Sequence, residues 1–451
     1  MSNLTQRLVA DLQRIMIQEP DEAARHQVKR CLLDYLGAAL AGARVLEPRV
    51  GKIIGMAGEN KDGVGVIGSS VKIGIETAAL INGLSSHVAE MDDGVRFGMI
   101  HPGAPIFSAL IPMTEKLNVT GNDFIRGVLV GYDAALRLAS AMQPTHYRRG
   151  YHPTATCGAI GATMGIAAML GFNAQEMENA LAAASVSATG SLKVVDKGSE
   201  LKPYSVGRAA VLAVHSAIMA RAGFSAPEDA LNGDTGFLRM TTDEYREELI
   251  LANGPSGYWI HSVYVKPYAA CRHAHPSIEG TIRILEKAHV LPVDIKNIHI
   301  TTYHGLAGRH DHKEVSDISA ARMSVPFSVA LAIKTGSAGI NEFTQETVDD
   351  AEIRALARKV TISADQKYTD RVPDQRAAEL RLETNDGTVY RELVTFPKGE
   401  PENPLTDAEL EEKFTNLAGY GGVAVEKSDL LKNEVWQLPQ DLKAFHRLLQ
   451  N

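Results

Sequence analysis

The chain has 451 residues, of which 45% are hydrophobic and 22% are charged, and its formal net charge is −8 at pH 7. This composition is typical of a globular protein, and the length exceeds what one hydrophobic core usually supports, so we expect two domains. The acidic balance argues against nucleic acid as a partner, because a nucleic-acid interface needs a basic face, but it leaves room for a local cationic pocket that binds a small anion.

The cysteine spacing, the N-terminal segment and one uncharged stretch indicate where in the cell the protein is expected. Cys31, Cys157 and Cys271 are scattered and lack a CxxC spacing, which argues against a disulfide framework and favours a reducing cytoplasm. The N-terminal MSNLTQRLVADLQRIMI lacks the charged leader and apolar core of a signal peptide. The uncharged stretch between Arg149 and Glu176 is rich in Gly, Ala and Thr, which favours buried, closely packed helices over a membrane span. We therefore predict a cytoplasmic protein that does not associate with a membrane.

The first 245 residues have the apolar spacing of helices. One helix is predicted within LTQRLVADLQRIM, and a second within DEAARHQVKRCLLDYLGAALAG, which starts after Pro20 and ends at Gly42. Short turn signals such as GN, HPT and LKP separate the helices that follow. These are predicted at roughly 72–89, 104–117, 122–142, 154–171, 174–187 and 204–222.

The pattern changes after about residue 262, where apolar and polar residues alternate. The runs KNIHITTYHG, RKVTISAD and ELRLETNDGTVYRELVTFP predict strands, and Asn385-Asp386-Gly387 predicts a hairpin turn within the last run. Helices are predicted near 275–289 and 319–335. The tail is helical again, with a last helix near 439–449.

These changes of pattern predict the domain division. We expect a mainly α large helical domain at 1–262, completed by C-terminal helices at 402–451, plus a smaller α+β lid domain at 263–401. The chain therefore leaves the first domain and returns to it.

Titratable residues gather in the stretch NGLSSHVAEMDDGVRFGMIHP, which holds His87, Glu90, Asp92, Asp93 and His101. The stretch begins where a predicted helix gives way to a loop, and functional residues concentrate in such loops. It is either a solvated helix end or an acid/base centre whose carboxylates and imidazoles exchange protons near neutral pH. Spacing alone leaves both interpretations open.

Four residues of interest, including His101 of this stretch, stand directly before proline. His101 and His152 are each expected just ahead of a helix, whose exposed N–H groups can bind a carboxylate, although a histidine there can also be a simple polar cap. Lys202 precedes proline at a predicted helix start, where its charge opposes the helix dipole and calls for a compensating anion. Lys266 precedes proline at the predicted domain junction, and ligands favour domain interfaces.

The spacing of the histidines, cysteines and glycines does not indicate a metal site or a nucleotide site. His304, His310 and His312 lie in YHGLAGRHDHK, which lacks an HExxH spacing or a cysteine partner, so we expect an exposed loop there. Neither a GxGxxG nor a GxxxxGK[ST] motif opens a helix. Cys271 needs an activating partner to act as a nucleophile, so we expect it to line a pocket instead. The sequence therefore predicts no metal and no cofactor.

The recurring motifs resemble those of a known family. The order NG…H…DD…HPG, then GYHPT, then LKP…G.AA and then KPY..CR..HP is similar to that of the MmgE/PrpD family. Its members include 2-methylcitrate dehydratase, cis-aconitate decarboxylase and iminodisuccinate epimerase. The resemblance covers nearly the whole chain, from CLLDYLGAALAG to the C-terminal helices. Each motif alone is weak, but the four in this order are a strong signal.

The resemblance implies a cofactor-independent lyase that abstracts a proton next to a carboxylate of a small di- or tricarboxylate, as a 2-methylcitrate dehydratase or cis-aconitate decarboxylase does. Such chemistry needs a base, a proton donor and cations near the developing negative charge. An epimerase or isomerase of a dicarboxylate such as iminodisuccinate, and a catalytically silent binding protein, stay open as alternatives. The resemblance also implies a homodimer. It implies catalytic roles for His101, His152, Glu90, Lys202 and Lys266, and substrate binding by Asp93, Cys271, Arg272 and Phe327.

The chain departs from the family pattern near these residues. Many members read H-x-x-D-[FY]-D-D, whereas this chain has HVAEMDD, so Glu90 replaces an aspartate and Met91 an aromatic residue. Gly94 stands where the cis-aconitate decarboxylases have threonine, and Phe327 where they have tyrosine. Because a hydroxyl donor is lost at each of these last two positions, we expect a related substrate rather than cis-aconitate itself.

Overall fold

The computed structural model describes residues 2–195, 199–438 and 440–450. The chain forms two compact units. The larger, here called the helical unit, comprises Met1–Tyr264 and Thr406–Asn451, and the smaller, here called the α+β unit, comprises Val265–Leu405. The predicted fold class, a large helical domain with a smaller α+β domain, is confirmed. Within the described ranges, no helix has the length and apolar character that crossing a membrane requires.

Among the described residues, the helical unit begins with eleven α-helices and one two-stranded ribbon. In chain order they are α1 (Leu4–Ile17), α2 (Glu22–Ala57), β1 (Val64–Gly65), β2 (Lys72–Ile73), α3 (Ile75–Val88), α4 (Gly103–Leu117), α5 (Gly121–Met142), α6 (Thr145–Arg148), α7 (Pro153–Met169), α8 (Ala174–Ser185), α9 (Lys202–Arg221), α10 (Phe237–Thr241) and α11 (Glu247–Ile250). The helices predicted between residues 72 and 222 are all present, with bounds that differ by a few residues.

Helix α2 is longer than predicted. It starts after Asp21, whose side chain accepts the N–H of Ala24, but it continues through Gly42 to Ala57. The prediction that this glycine ends the helix was therefore wrong. A Cβ on Gly42 would lie 1.8 Å from the carbonyl oxygen of Ser85 in α3, so the glycine allows α2 and α3 to pack closely.

Two packing features bring three helix ends together. Every residue of α7 is buried, and α4, α5, α8 and α9 pack around it, so the start of α7 lies inside the unit. A Cβ on Gly83 of α3 would lie only 2.6 Å from the Cα of Gly207 in α9, so these two backbones are in direct contact. The end of α3 consequently lies beside the start of α9.

The α+β unit contains six helices and four strands. They are α12 (His275–Ala288), β3 (Ile295–Thr302), α13 (Ile318–Met323), α14 (Val325–Thr335), α15 (Gln345–Asp349), α16 (Ala351–Lys359), β4 (Val360–Ala364), α17 (Gln366–Thr369), β5 (Ala378–Thr384) and β6 (Val389–Val394). The helix predicted at 319–335 is divided in two at Ser324, whose hydroxyl accepts the N–H of Phe327 and caps α14.

The four strands form one sheet in the order β4-β3-β5-β6. Strand β3 pairs parallel with β4, with Ile298 opposite Val360, and antiparallel with β5. Strands β5 and β6 form the predicted hairpin, and Gly387 has the positive φ of 88° that its turn requires. Helix α12 packs on β5 and β6.

Three helices follow the α+β unit: α18 (Asp407–Tyr420), α19 (Val425–Gln437) and α20 (Lys443–Leu449). Helix α18 packs against α2, where Lys413 forms a buried ion pair with Asp34. The last helix was predicted from residue 439, which lies outside the described residues, and the observed helix begins at Lys443.

Candidate active site

His152 occupies the N-cap position of α7, as its place before proline predicted. Its Nδ1 lies 2.9 Å from the hydroxyl of Ser205 in α9. That hydroxyl donates its hydrogen to the carbonyl oxygen of Lys202, 2.9 Å away, so its oxygen accepts from His152. We therefore assign the hydrogen of the neutral ring to Nδ1 and the lone pair to Nε2.

Burial keeps this imidazole neutral. His152 is only 4% exposed. Burial lowers the pKa of His152 well below its ordinary value. Lys202, and His87 and His101 when they are protonated, repel a positive charge on His152 and lower the pKa further, and the opposing effect of Glu90 is smaller. At neutral pH the ring is a base with a free lone pair.

His87 and His101 flank the carboxylate of Asp92. Nδ1 of His87 lies 2.6 Å from Oδ2 of Asp92, and Nδ1 of His101 lies 3.5 Å from the same oxygen. Nδ1 of His101 is closer, at 2.6 Å, to the main-chain carbonyl oxygen of Asp93. Because a carbonyl oxygen only accepts, this Nδ1 carries the hydrogen. The ring centroid of His87 is 5.0 Å from that of His101 and 6.4 Å from that of His152, so three imidazoles form one cluster.

Asp93 is buried between two donors. Its Oδ1 accepts the N–H of Gly103 at the start of α4 (3.0 Å), and its Oδ2 accepts the hydroxyl of Tyr132 (2.7 Å). Burial raises the pKa of Asp93 to about 7, because the charges of Asp34 and Asp92 add to the burial effect while the two hydrogen bonds only partly oppose it. Asp93 therefore changes charge near neutral pH.

Glu90 follows α3 with a positive φ of 55°, and its carboxylate forms an ion pair with Nζ of Lys202, the first residue of α9. Their side chains are 12% and 16% exposed. The anion that the sequence required beside Lys202 is thus supplied by Glu90. From α18, Nζ of Lys413 donates to the carbonyl oxygen of Met91 (2.7 Å) and supports the same loop.

The structure therefore brings five predicted residues together in the helical unit: His101, His152, Glu90, Lys202 and Asp93. The sequence reasoning did not assign roles to the His87–Asp92 pair, Ser205 or Lys413. His87, Asp92 and Ser205 could have been identified from the sequence, because they lie in the titratable stretch and in the LKPYS motif. No sequence motif pointed to Lys413, because its partners lie more than 300 residues earlier in the chain.

The other four predicted residues lie in the α+β unit. Lys266 is 1% exposed. Arg272 is also buried and forms an ion pair with Glu400, with Nε 2.5 Å from Oε1. Cys271 is half-buried, and its N–H donates to the carbonyl oxygen of Arg322.

Phe327 is completely buried in α14, with its ring centroid 6.3 Å from that of Phe343. Its side chain is part of the hydrophobic core of the α+β unit. An aromatic ring in this setting contributes mainly buried apolar area.

The loop between β3 and α13 differs from its prediction. His304 is exposed as expected, but His310 and His312 are half-buried, so the expectation of exposure was wrong for these two. Nδ1 of His310 bonds the carbonyl oxygen of Met323 (3.0 Å), and its ring stacks on His273 at 4.8 Å. The fold also supplies the cysteine neighbour that the spacing lacked, Cys271.

Two groups among the described residues hold potential metal-ligand atoms within 4.8 Å of one another: His87, Asp92 and His101, and Cys271, His273 and His310. In the first group the carboxylate already accepts the Nδ1 hydrogen of His87. In the second, burial and then the positive charges of His310, Arg376, Arg272 and Arg309 lower the pKa of His273, and the same charges oppose a cation. We assign neither group as a metal centre.

Comparison with known proteins agrees with the motifs. The chain matches the MmgE/PrpD N-terminal domain over residues 6–249 and the MmgE/PrpD C-terminal domain over residues 268–438. It is 26% identical to the cis-aconitate decarboxylase of Aspergillus terreus over 418 residues, which cover 87% of this chain and 84% of that protein. It is 24% identical over 442 residues to a cis-aconitate decarboxylase-like protein of Aspergillus oryzae, covering 91% and 89% of the two chains. The motifs, the fold and both domain matches agree, and the chain belongs to the MmgE/PrpD family.

Proposed function

We propose that the protein is a cofactor-independent lyase that acts on a small di- or tricarboxylate, by dehydration or decarboxylation of the 2-methylcitrate or cis-aconitate type. The observation that carries this proposal is the cluster of three imidazoles beside the Lys202–Glu90 pair at the ends of α3, α7 and α9. Membership of a family of such enzymes supports the reaction class, and the relatives named above are cis-aconitate decarboxylases.

In this proposal neutral His152 is the base. The C–H bond next to a substrate carboxylate breaks, the proton forms an N–H bond at Nε2, and the electron pair stays on the substrate as a carbanion or enolate. In a dehydration, His101 protonates the leaving hydroxyl, which departs as water. In a decarboxylation the C–C bond to one carboxylate breaks instead of a C–H bond, CO₂ departs, and the electron pair left on the substrate forms a C–H bond with a proton from His101.

Lys202 is proposed to bind a substrate carboxylate, in the ground state and the transition state alike. A substrate carboxylate would compete with Glu90 for its ammonium group. On the family resemblance we also propose substrate contacts for Lys266, Cys271 and Arg272. The burial of Phe327 and the hydrogen bonds of Asp93 favour supporting roles for these two residues.

An epimerase of a dicarboxylate such as iminodisuccinate is the second candidate. It is favoured by the matched tautomers of His101 and His152, whose Nδ1 hydrogens are both held by oxygen acceptors. In an epimerisation, neutral His152 would take the proton from one face of the carbon, and His101, when protonated at Nε2, would return a proton to the other face. A catalytically silent binding protein is the third candidate. For each candidate we propose a homodimer that works in the cytoplasm without a metal.

Incubation with candidate acids in D₂O distinguishes the three. A screen of di- and tricarboxylates for thermal stabilisation first selects the acids that bind the native state. Deuterium incorporation with loss of water or CO₂ supports the lyase, and incorporation with inverted configuration supports the epimerase. Binding without exchange or turnover for every selected acid would leave only the binding protein.

A further inference from the structure

His87 is the histidine of the cluster that the proposed mechanism does not use. Its side chain is completely buried, and Asp92, which accepts its Nδ1 hydrogen at 2.6 Å, is 1% exposed. Its Nε2 is buried without a hydrogen-bond partner among the residues that the structure describes. A buried polar atom without a partner is destabilising, so we expect His87 Nε2 to gain a partner during function.

The neighbours of His87 differ in how well they stabilise a positive ring. Asp92 is an anion in direct contact with His87, and its Oδ2 is also 3.5 Å from Nδ1 of His101. His152 has the neutral hydroxyl of Ser205 as its Nδ1 partner. Lys202 and Glu90 form an ion pair, and their charges have opposite effects on the pKa of His152. Of the three rings, His87 has the closest carboxylate.

We propose that the His87–Asp92 pair is the proton store of the active site. It receives, through one buried water at its Nε2, the proton that His152 takes from the substrate. Later in the cycle it returns that proton to His101, which has given one to the leaving hydroxyl. The inference rests on the proposed function. His87 itself does not touch the substrate and acts through His152.

The step conserves atoms and charge. The N–H bond at Nε2 of His152 breaks, the water takes that proton and gives up another, and an N–H bond forms at Nε2 of His87. The positive charge moves from one ring to the other, and Asp92 stays ionised. The ring centroids of His101 and His152 lie 5.0 Å and 6.4 Å from that of His87, separations that one water between ring nitrogens can bridge.

The transfer has a physical reason. Burial lowers the pKa of His152, so its protonated form is disfavoured. An imidazolium ring in contact with a carboxylate is far better stabilised than one in contact with a hydroxyl. A store of this kind lets His152 return to its neutral form before the substrate leaves.

The test compares His87→Asn with wild type on the acid that the screen selects. The asparagine amide keeps an N–H near the position of Nδ1, so Asp92 keeps its donor, but the variant lacks Nε2 and cannot carry the proton. We expect kcat to fall about 10–100-fold, with KM changed less than about threefold, and one ionisation to disappear from the pH profile of kcat.

Asp92→Asn should alter the same ionisation, and the double variant should be no slower than the slower single variant. His215→Asn, at an exposed position of α9, is the matched control.

A folded His87→Asn enzyme with kcat within about twofold of wild type and an unchanged pH profile would overturn the inference, since a structural role alone predicts that result. If this variant does not fold, the wild-type proton inventory in H₂O/D₂O mixtures decides. A curved inventory, from two protons in flight, supports the relay, and a linear inventory together with an unchanged pH profile of kcat in Asp92→Asn overturns it. Absence of turnover and exchange in the wild type on every acid would instead overturn the proposed function.

Discussion

The ammonium group of Lys202, the first residue of α9, is paired with the carboxylate of Glu90, a residue with positive φ just beyond α3. A lysine at a helix N-terminus opposes the helix dipole, and a non-glycine residue with positive φ is strained. The ion pair offsets both costs and joins the ends of two helices. A ligand carboxylate can reach Lys202 only by sharing or displacing Glu90.

The first prediction concerns this lysine. Lys202→Ala removes the cation that we expect to bind the substrate in both the ground state and the transition state, so KM should rise about tenfold or more while kcat changes less than about threefold. Steady-state kinetics on the acid selected by thermal stabilisation measures both. Lys52→Ala, at an exposed lysine of α2, is the control and should leave both constants unchanged. A large loss of kcat with constant KM would assign Lys202 to the transition state alone.

The second prediction concerns the base. His152→Ala should lower kcat by about 10²–10⁴-fold, the range for loss of a general acid or base. Circular dichroism should show an intact fold, because the main-chain N–H of His152 still bonds the carbonyl oxygen of Gly190. His215→Ala provides a histidine control on an exposed surface of α9. Near-normal kcat in a folded His152→Ala enzyme would leave His152 as a helix cap only.

What the sequence predicted correctly was mainly local. Proline directly after His152 and Lys202 located both residues at helix starts, because proline restricts the residue before it and favours the first helical turn. The hairpin at Gly387 was equally local, since its turn type depends on a few residues. Membership of the family came from the order of short motifs along the chain.

What it missed depends on contacts between distant residues. Gly42 has the appearance of a helix stop, and only the position of Ser85 in α3 explains why a glycine is needed there. The partners of Lys413 in the loop after α3 and in α2 follow no periodic pattern. The His87–Asp92 bond lies within the stretch that we singled out, but five-residue spacing across a loop does not fix a hydrogen bond.

The third prediction tests the tight contact of α2 with α3. Gly42→Ala should lower the free energy of unfolding by about 1–3 kcal/mol, the usual cost of overpacking, because its Cβ would meet the Ser85 carbonyl. It should also lower kcat, since α3 carries His87. Gly51→Ala in the same helix meets nothing within 4 Å and should raise stability by about 0.5–1 kcal/mol. Urea denaturation measures both, and equal effects would argue against the contact.

The fourth prediction concerns assembly. We expect a homodimer, because the family resemblance implies one and because apolar side chains at the end of α9 are exposed: Ile218 (40%), Met219 (40%) and Phe224 (66%). Sedimentation at micromolar concentration should give twice the chain mass. A monomer under these conditions would reject the prediction.

The last prediction follows from the charge of Asp93. Its pKa is about 7 in the folded protein, against an ordinary value of 3.8. Below about pH 4 the carboxyl is protonated in both the folded and the unfolded state, so it does not lower the free energy of unfolding. Between pH 4 and 7 the native state binds more protons than the unfolded state, and the free energy of unfolding therefore falls as the pH rises. Above about pH 7 the full penalty of about 4 kcal/mol is present.

Asp93→Asn should remove this dependence. The amide keeps an oxygen for the N–H of Gly103 and offers its NH₂ to the oxygen of Tyr132, so the local hydrogen bonds can be retained. The free energy of unfolding of the variant should fall less steeply than that of wild type between pH 5 and pH 8, with the variant gaining relative stability at the upper end. Asp374→Asn, at an exposed carboxylate, should keep the wild-type slope. Urea denaturation across this range measures the slopes, and identical slopes for wild type and Asp93→Asn would mean that Asp93 is ionised throughout and is stabilised by its two donors more strongly than burial opposes it.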